Sequence, residues 1–321
     1  MKRLRRSIAT FIWCISWWLT LSACTSATLP AGCPPACFRA DLRERDLRSF
    51  SLTGANLSAA NLGGADLSGV DLSHASLVGA NLKNANLTGA NLTGANLTGA
   101  DLSNASLGGA LLTEANLESA ILIGADLTTV DLSSVNLVGV RLARARLVGV
   151  NLSGVELRGA VMEGADLHGA NLSGINLSGA NLSKAKLDGT NFANAILSGI
   201  NLSGSEMIGV NLTSADLNGA LMVGVYMPGA TLDNATLIGA DLRGADLSGA
   251  TLYGANFTDA RIESTGSNSE EANEQIFSNL TEAERAQLLV NTFFDGARYN
   301  AATIWPEGYV PPRTAVLDGN R

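Results

Sequence analysis

Residues 85–104 read Ala85-Asn86-Leu87-Thr88-Gly89-Ala90-Asn91-Leu92-Thr93-Gly94-Ala95-Asn96-Leu97-Thr98-Gly99-Ala100-Asp101-Leu102-Ser103-Asn104. One pentapeptide repeats: a small residue, Asn or Asp, Leu, then two more residues. Working outward, every fifth position from Leu42 to Ile262 is apolar, 45 in succession. Thirty-eight are Leu, four are Met (Met162, Met207, Met222, Met227), two are Phe (Phe192, Phe257) and the last is Ile. Self-similarity at a short fixed period is the mark of a solenoid.

A period of five suits neither regular structure. On a helix the Leu positions would drift by ~140° each time and visit every face. On a continuous strand an odd period would throw successive Leu residues to opposite sides. Each unit is therefore a short extended piece followed by a corner. The small residue and Leu stand two apart and point inward, and the polar residue between them points out. Gly fills the last corner position in 28 of 45 units and Asn in four more (Asn84, Asn104, Asn194, Asn234), as tight corners at positive φ favour.

These residues resemble the pentapeptide-repeat family, whose pattern is A(D/N)LXX. The resemblance covers roughly residues 40–262 and implies an all-β solenoid: a right-handed, four-sided parallel β-helix with 20 residues per coil. Departures are few: Arg45 and Phe50 stand in small positions near the start, and Thr190 and Ser205 later. Stacking residues 20 apart supports four sides, because it aligns Asp126, Arg146, Asp166, Lys186 and Glu206 in one outward column of alternating charge. Spacing by 15 aligns only Asp126, Arg141 and Glu156. About eleven coils at ~4.8 Å make a rod roughly 50 Å long. Each buried Leu contributes ~1.5–3 kcal/mol gross, which offsets much of the ordering entropy.

The first 23 residues differ. Lys2, Arg3, Arg5 and Arg6 precede an apolar run from Ile8 to Leu21, and Leu21-Ser22-Ala23-Cys24 follows. This is the layout of a secretory signal, residues 1–23. The tetrapeptide resembles a bacterial lipobox, which implies lipidation of Cys24 and an extracytoplasmic, lipid-anchored protein. An uncleaved anchor is the rival, but the run is short for a span of ~20 residues. Without residues 1–23 the chain carries 17 Lys and Arg against 29 Asp and Glu. Taken whole, such an acidic chain without a basic stripe is expected to be a poor binder of nucleic acid or anionic lipid.

Residues 24–37 form a tether, 38–262 the repeat, 263–280 an acidic linker, and 281–321 a helix and tail. Cys33 and Cys37 lie outside the signal and, in an oxidising compartment, are expected to pair as a disulfide closing the first coil. Thr281-Glu282-Ala283-Glu284 matches a capping box, Ala286, Leu289, Val290 and Phe293 share one helical face, and Asp295-Gly296 ends the helix. The following Tyr299…Thr303-Ile304-Trp305-Pro306, with Gly308, Tyr309 and Pro311, resembles a tail found after the repeats in other bacterial members. It is expected to cap the last coil, with partner docking as the rival role. Pairing of two copies through a coil end also remains open.

No enzymatic chemistry is expected. His74 and His168, the two histidines, fall on outward positions of different sides, nearly five coils apart. The glycines are corner residues that lack the Lys and strand-to-helix context of a phosphate loop. No cofactor or metal site is expected. Asn151, Asn171, Asn191 and Asn211 are expected to form an amide ladder. Outward apolar residues cluster at Ile121 and Ile123, and at Leu221, Val223 and Tyr226; the second group is a candidate partner surface. The reading is a non-enzymatic, lipid-anchored rod serving as scaffold or binding surface. Its rival, from the family's best-understood members, is a cytosolic DNA mimic that protects gyrase from quinolones. A solenoid carbohydrate-active enzyme is a weaker third, because such enzymes use a three-sided helix and clustered acids.

Overall fold

A computed structural model describes residue 33 and residues 36–262, 293–312 and 315–318. The signal, Cys24, the 263–280 linker and residues 281–292 of the expected helix lie outside the described residues. The repeat closes into a four-sided parallel coil. Bridges join residues 20 apart along all four sides, from Ala36↔Asn56 to Asp241↔Arg261. Each Leu amide donates to the coil above and each outward residue's amide to the coil below, as in Leu62 to the Asn81 carbonyl (2.7 Å) and Asn81 to the Ala60 carbonyl (2.9 Å).

The corners follow from the same chemistry. The amide of each small residue turns back to the Leu three positions earlier, as in Ala65 to the Leu62 carbonyl (3.0 Å). In nearly every unit the second corner residue takes positive φ, even at Glu114 (59°) and the β-branched Thr129 (70°). At Gly94 the reason for glycine is also space, since a Cβ there would lie 2.6 Å from the His74 ring in the coil below.

Inside, Leu and the small residues form one continuous column, nearly all of it inaccessible to solvent. The two polar departures are satisfied by backbone: Thr190 Oγ1 donates to the Leu167 carbonyl (2.9 Å) and Ser205 Oγ to that of Leu202 (2.7 Å). This removes the penalty of a buried, unpaired hydroxyl.

The ladder is not uniform. The bridges that would join Leu111, Asp131 and Asn151 on one side, and Asn136 to Glu156 on the next, do not form. The amides of Leu112, Asp131, Leu132, Leu137, Asn151 and Glu156 make none of the usual backbone bonds between coils. Hydroxyls fill part of the gap, with the Gly109 amide donating to Thr129 Oγ1 (3.2 Å) and the Glu114 amide to Ser134 Oγ (3.2 Å). On these two sides Val130 stacks with Val150 and Val135 with Val155, where the coil elsewhere mostly holds Ala. The opposite sides of the same coils keep Ile121↔Arg141↔Val161 and Asp126↔Arg146↔Asp166 intact.

The two ends are closed differently. At the start, Cys37 occupies the first inward Leu-type position and is bonded to Cys33, with Cα atoms 4.7 Å apart. Half-buried Ala40, Arg45 and Phe50 hold the inward small positions of that end coil.

At the far end the chain leaves the coil after Ile262 and returns at Phe293, which bridges Asp246. This corrects one assignment. Phe293 is not on a helix face but on the ladder: its amide donates to the Ala245 carbonyl (2.9 Å), and its carbonyl accepts from Leu247 (2.8 Å). Phe294 turns inward, Gly296 makes the corner at φ 65°, and Ala297 takes the small position. A two-residue strand, β1 (Arg298–Tyr299), stacks on Thr251, and Ile304 stacks on Asn256. Thr303 repeats the Thr190 device, donating to the Leu252 carbonyl (2.7 Å). A second short strand, β2 (Val316–Leu317), pairs in parallel with β1.

The tail is thus more regular than its composition suggests. It adds a further coil whose interior is aromatic. Trp305 stacks on Phe257 (centroids 5.3 Å, planes 8° apart) and meets Phe294 and Tyr299 edge to face. Such geometries suit the ring quadrupoles and seal the column with large apolar area.

Candidate interaction surfaces

The outer wall is built mostly of Asn and Asp, and the geometry shows what they do. Each accepts a hydrogen bond from the backbone amide two residues ahead, as Asn56 does from Ser58 (3.1 Å) and Asp101 from Ser103 (3.1 Å). Short polar side chains fold the corner this way and substitute for lost backbone partners. Hydrogen bonds from the Ser68 and Ser73 side chains and amides hold Asp66 and Asp71 below the usual carboxylate range.

A second set of bonds runs between coils. Asn171 donates to Asn151 (3.0 Å), Asn191 to Asn171 (3.2 Å) and Asn211 to Asn191 (3.1 Å). The expected amide ladder is present, and its members hold the wall together.

The charge column stacks as the 20-residue coil requires, through Asp126↔Arg146↔Asp166↔Lys186↔Glu206. Ion pairing within it is selective. Arg146 reaches Asp126 (2.8 Å), whereas Asp166 is taken by His168. His168 Nδ1 lies 2.7 Å from Asp166 and Nε2 lies 3.2 Å from Asp188 in the coil above. The Asp166 hydrogen bond, opposed by partial burial and helped by both carboxylate charges, raises the His168 pKa. With both ring nitrogens engaged by carboxylates, His168 has none left to activate a nucleophile. It acts as a clasp between coils. His74 lies exposed on a different corner. Among the described residues no group of three or more His, Cys, Asp or Glu side chains is placed to hold a metal ion.

Leu221 is 47% exposed, and Val223 and Tyr226 are half-buried beside it along the same coil. The patch continues where sequence order did not suggest it. Pro228 turns the next corner, and Ile208 (46% exposed) lies directly beneath it, since the Gly209 amide bonds the Pro228 carbonyl (3.0 Å). Adding 20 to Ile208 would have revealed this neighbour. Ile121 and Ile123 are both half-buried.

A four-sided parallel β-helix with Leu in the centre of every five-residue side defines a class of solenoid. The profile for Pentapeptide repeats matches residues 37–73, 65–104, 75–113, 110–147, 145–183, 185–224 and 226–263. The chain belongs to the pentapeptide-repeat family, and its coil is the family's right-handed quadrilateral β-helix. Among solved structures it is similar to HetL, a pentapeptide repeat protein involved in heterocyst differentiation regulation from the cyanobacterium Nostoc sp. strain PCC 7120. That match has 32% identity, covers 66% of this chain and 90% of HetL, and has a TM-score of 0.28. A trypsin-treated QnrB1, a plasmid-mediated fluoroquinolone resistance protein, shows 17% identity over 76% of this chain and 89% of its own, with TM-score 0.40. Rfr23 from the cyanobacterium Cyanothece 51142 shows 24% identity over 44% and 90%, with TM-score 0.21. No match was found among curated protein sequences.

Proposed function

We propose that this chain is a non-enzymatic, lipid-anchored rod that works outside the cytoplasm of a bacterium as a scaffold or protein-binding surface. The observation that carries this reading is the use made of the wall's polar groups. Asn and Asp side chains hold corners and neighbouring coils, and the His168 imidazole is occupied on both nitrogens. The residues that meet a partner in this reading are outward ones that break the repeat, among them the apolar group of Leu221, Val223, Tyr226, Ile208 and Pro228. The address rests on Leu21-Ser22-Ala23-Cys24 at the end of a basic, then apolar segment. Two or more acyl chains supply the stable anchoring that a single chain does not.

Labelled palmitate tests the address: Cys24→Ala should abolish incorporation, and normal labelling of that variant overturns the reading. A photo-crosslinker at Leu221 in cells should trap a discrete partner, and one at Ser103 should not. The gyrase-directed alternative draws on the repeat's acidity, 20 acidic against 12 basic residues over 40–262. Protection of gyrase in a supercoiling assay, with no palmitate in the wild type, would replace the first reading by the second.

A further inference from the structure

The rod is electrically lopsided. Residues 38–50 carry Arg39, Arg43, Arg45 and Arg48 against Asp41, Glu44 and Asp46, an excess of one positive charge. From residue 51 to 262 there are 17 acidic and nine basic residues. The arginines ring one end of the solenoid: Arg39, Arg43 and Arg48 sit on exposed corners, and Arg45 lies half-buried in an inward position of the end coil. Arg43 and Arg48 are held as forks by Asp41 (2.8 Å) and Asp46 (2.7 Å), and Arg48 also reaches Asp66 (3.3 Å). Phe38, 55% exposed, stands on the same rim with the Arg39 guanidinium 5.0 Å above its ring.

That end is also where the chain departs toward Cys24. From Cys24 to Cys33 is nine residues, a reach of at most about 30 Å, and the Cys33–Cys37 bond adds only 4.7 Å between Cα atoms. The rod itself is about 50 Å long, so a lipid on Cys24 holds this end, not the other, within reach of a bilayer.

We propose that the N-terminal end coil is a membrane-contact surface: Phe38 and the arginine rim meet anionic phospholipid headgroups, and the rod stands upright on them. This deepens the lipid-anchored reading and rests on it. Two forces act together. Basic and aromatic residues on one rim suit an anionic interface. The acidic flanks are repelled when the rod lies down, at separations within the Debye length of ~8 Å. An apolar or zwitterionic surface supplies the tether but not the orientation.

The test uses the full lipidated chain in vesicles of phosphatidylcholine, with and without phosphatidylglycerol. A donor dye is placed at Ser58→Cys, one coil above Phe38 on the same corner, or at Ile238→Cys, nine coils or ~43 Å further along. The acceptor is a headgroup-labelled lipid. Adding phosphatidylglycerol should leave transfer from position 58 high and reduce transfer from position 238. High salt, or Phe38→Ser combined with Arg39→Glu, should abolish that reduction. Equal transfer from both positions on anionic vesicles overturns the upright orientation, as does a reduction that survives in the double variant. Failure of the wild type to float with either vesicle type removes the lipid anchor and the orientation with it, which separates the two readings.

Discussion

Two pairs of sides in the same coils behave differently. Across residues 111–156 the side carrying Asp131 loses both its intercoil bridges and the side carrying Asn136 loses the one to Glu156, while those carrying Arg141 and Arg146 keep theirs. The backbone repeat, the Leu column and the corners are shared, so none of these explains the contrast. The small position differs between them. The bridged sides hold Ala120, Val140 and Ala160, and Ala125, Ala145 and Ala165; the open sides stack Val130 on Val150 and Val135 on Val155. A lone Val140 between two alanines keeps its bridges, and Val155 on Ile175 and Thr190 on Val210 keep theirs at Glu156↔Asn176 and Asn191↔Asn211, so the gap goes with the two neighbouring Val–Val pairs and not with β-branching as such. The open-side valines are 4–7% exposed, where Ala145 and Ala165 are at 0%. Phe50 tells the same story at the rod's start, where Ser51 and Asp71 form no bridge. In a close-packed column one extra methyl layer spreads the backbone before it unfolds the chain.

The largest effect is expected where the column is tightest. Ala100→Leu, on a bridged side with Ala80 and Ala120 as neighbours, should destabilise by about 1–3 kcal/mol. Ser103→Ala, on the outer wall of the same coil, should stay within ~0.5 kcal/mol. Equal effects in denaturant melts would mean that the inward positions have no special tightness. Next, the open geometry should be transferable. Ala125→Val with Ala145→Val stacks two valines on a bridged side and should cost about 1 kcal/mol, with faster amide exchange at Asp126 and Arg146. Unchanged exchange would show that stacked valines do not open the ladder.

The reverse change sharpens the comparison. Val130→Ala with Val150→Ala removes four methyl groups, worth about 3 kcal/mol of burial if nothing else changes. Closure of the Asp131↔Asn151 bridge should offset much of that, so a loss nearer 1 kcal/mol and slower exchange at Asp131 and Asn151 are expected. A full loss with fast exchange would place the cause of the gap elsewhere.

Electrostatic effects are smaller. Arg146→Glu breaks the 2.8 Å pair with Asp126 and sets three acids in a row, whereas Arg141 stacks between Ile121 and Val161. Arg146→Glu should cost up to ~1 kcal/mol more than Arg141→Glu at low salt, and the gap should close as salt rises. The smallest is the His168 clasp. Its raised pKa means the stabilisation is complete below the ordinary histidine value, near 6.5, and fades as pH rises through the raised value. His168→Gln should flatten the melting-temperature profile there; an unaltered profile would show that the clasp contributes nothing.

How much was legible differs by element. The five-residue spacing makes a coil legible, and the resemblance to the pentapeptide-repeat family, supported by the alternating column of Asp126, Arg146 and Asp166, implies its 20 residues per turn. The last coil was not legible in the same way. Phe293-Phe294-Asp295-Gly296-Ala297-Arg298-Tyr299 fits the repeat's register, yet an interruption from residue 263 to 292 separates it, and Phe replaces Leu. A capping-box pattern and a helical face ending at Phe293 competed locally, and long-range pairing with Asp246 prevailed. The His168 clasp and the Ile208–Pro228 contact join residues in adjacent coils, visible only when the chain is read in steps of 20.

By itself the amino-acid order determined that this molecule is a solenoid, because a strict period of five suits neither helix nor strand and demands a corner in every unit. The tertiary structure alone decided where the wall closes and where it opens, which carboxylate takes His168, and which aromatics seal the end. Those outcomes depend on the volume and reach of side chains brought together by stacking, and a local pattern does not carry that information.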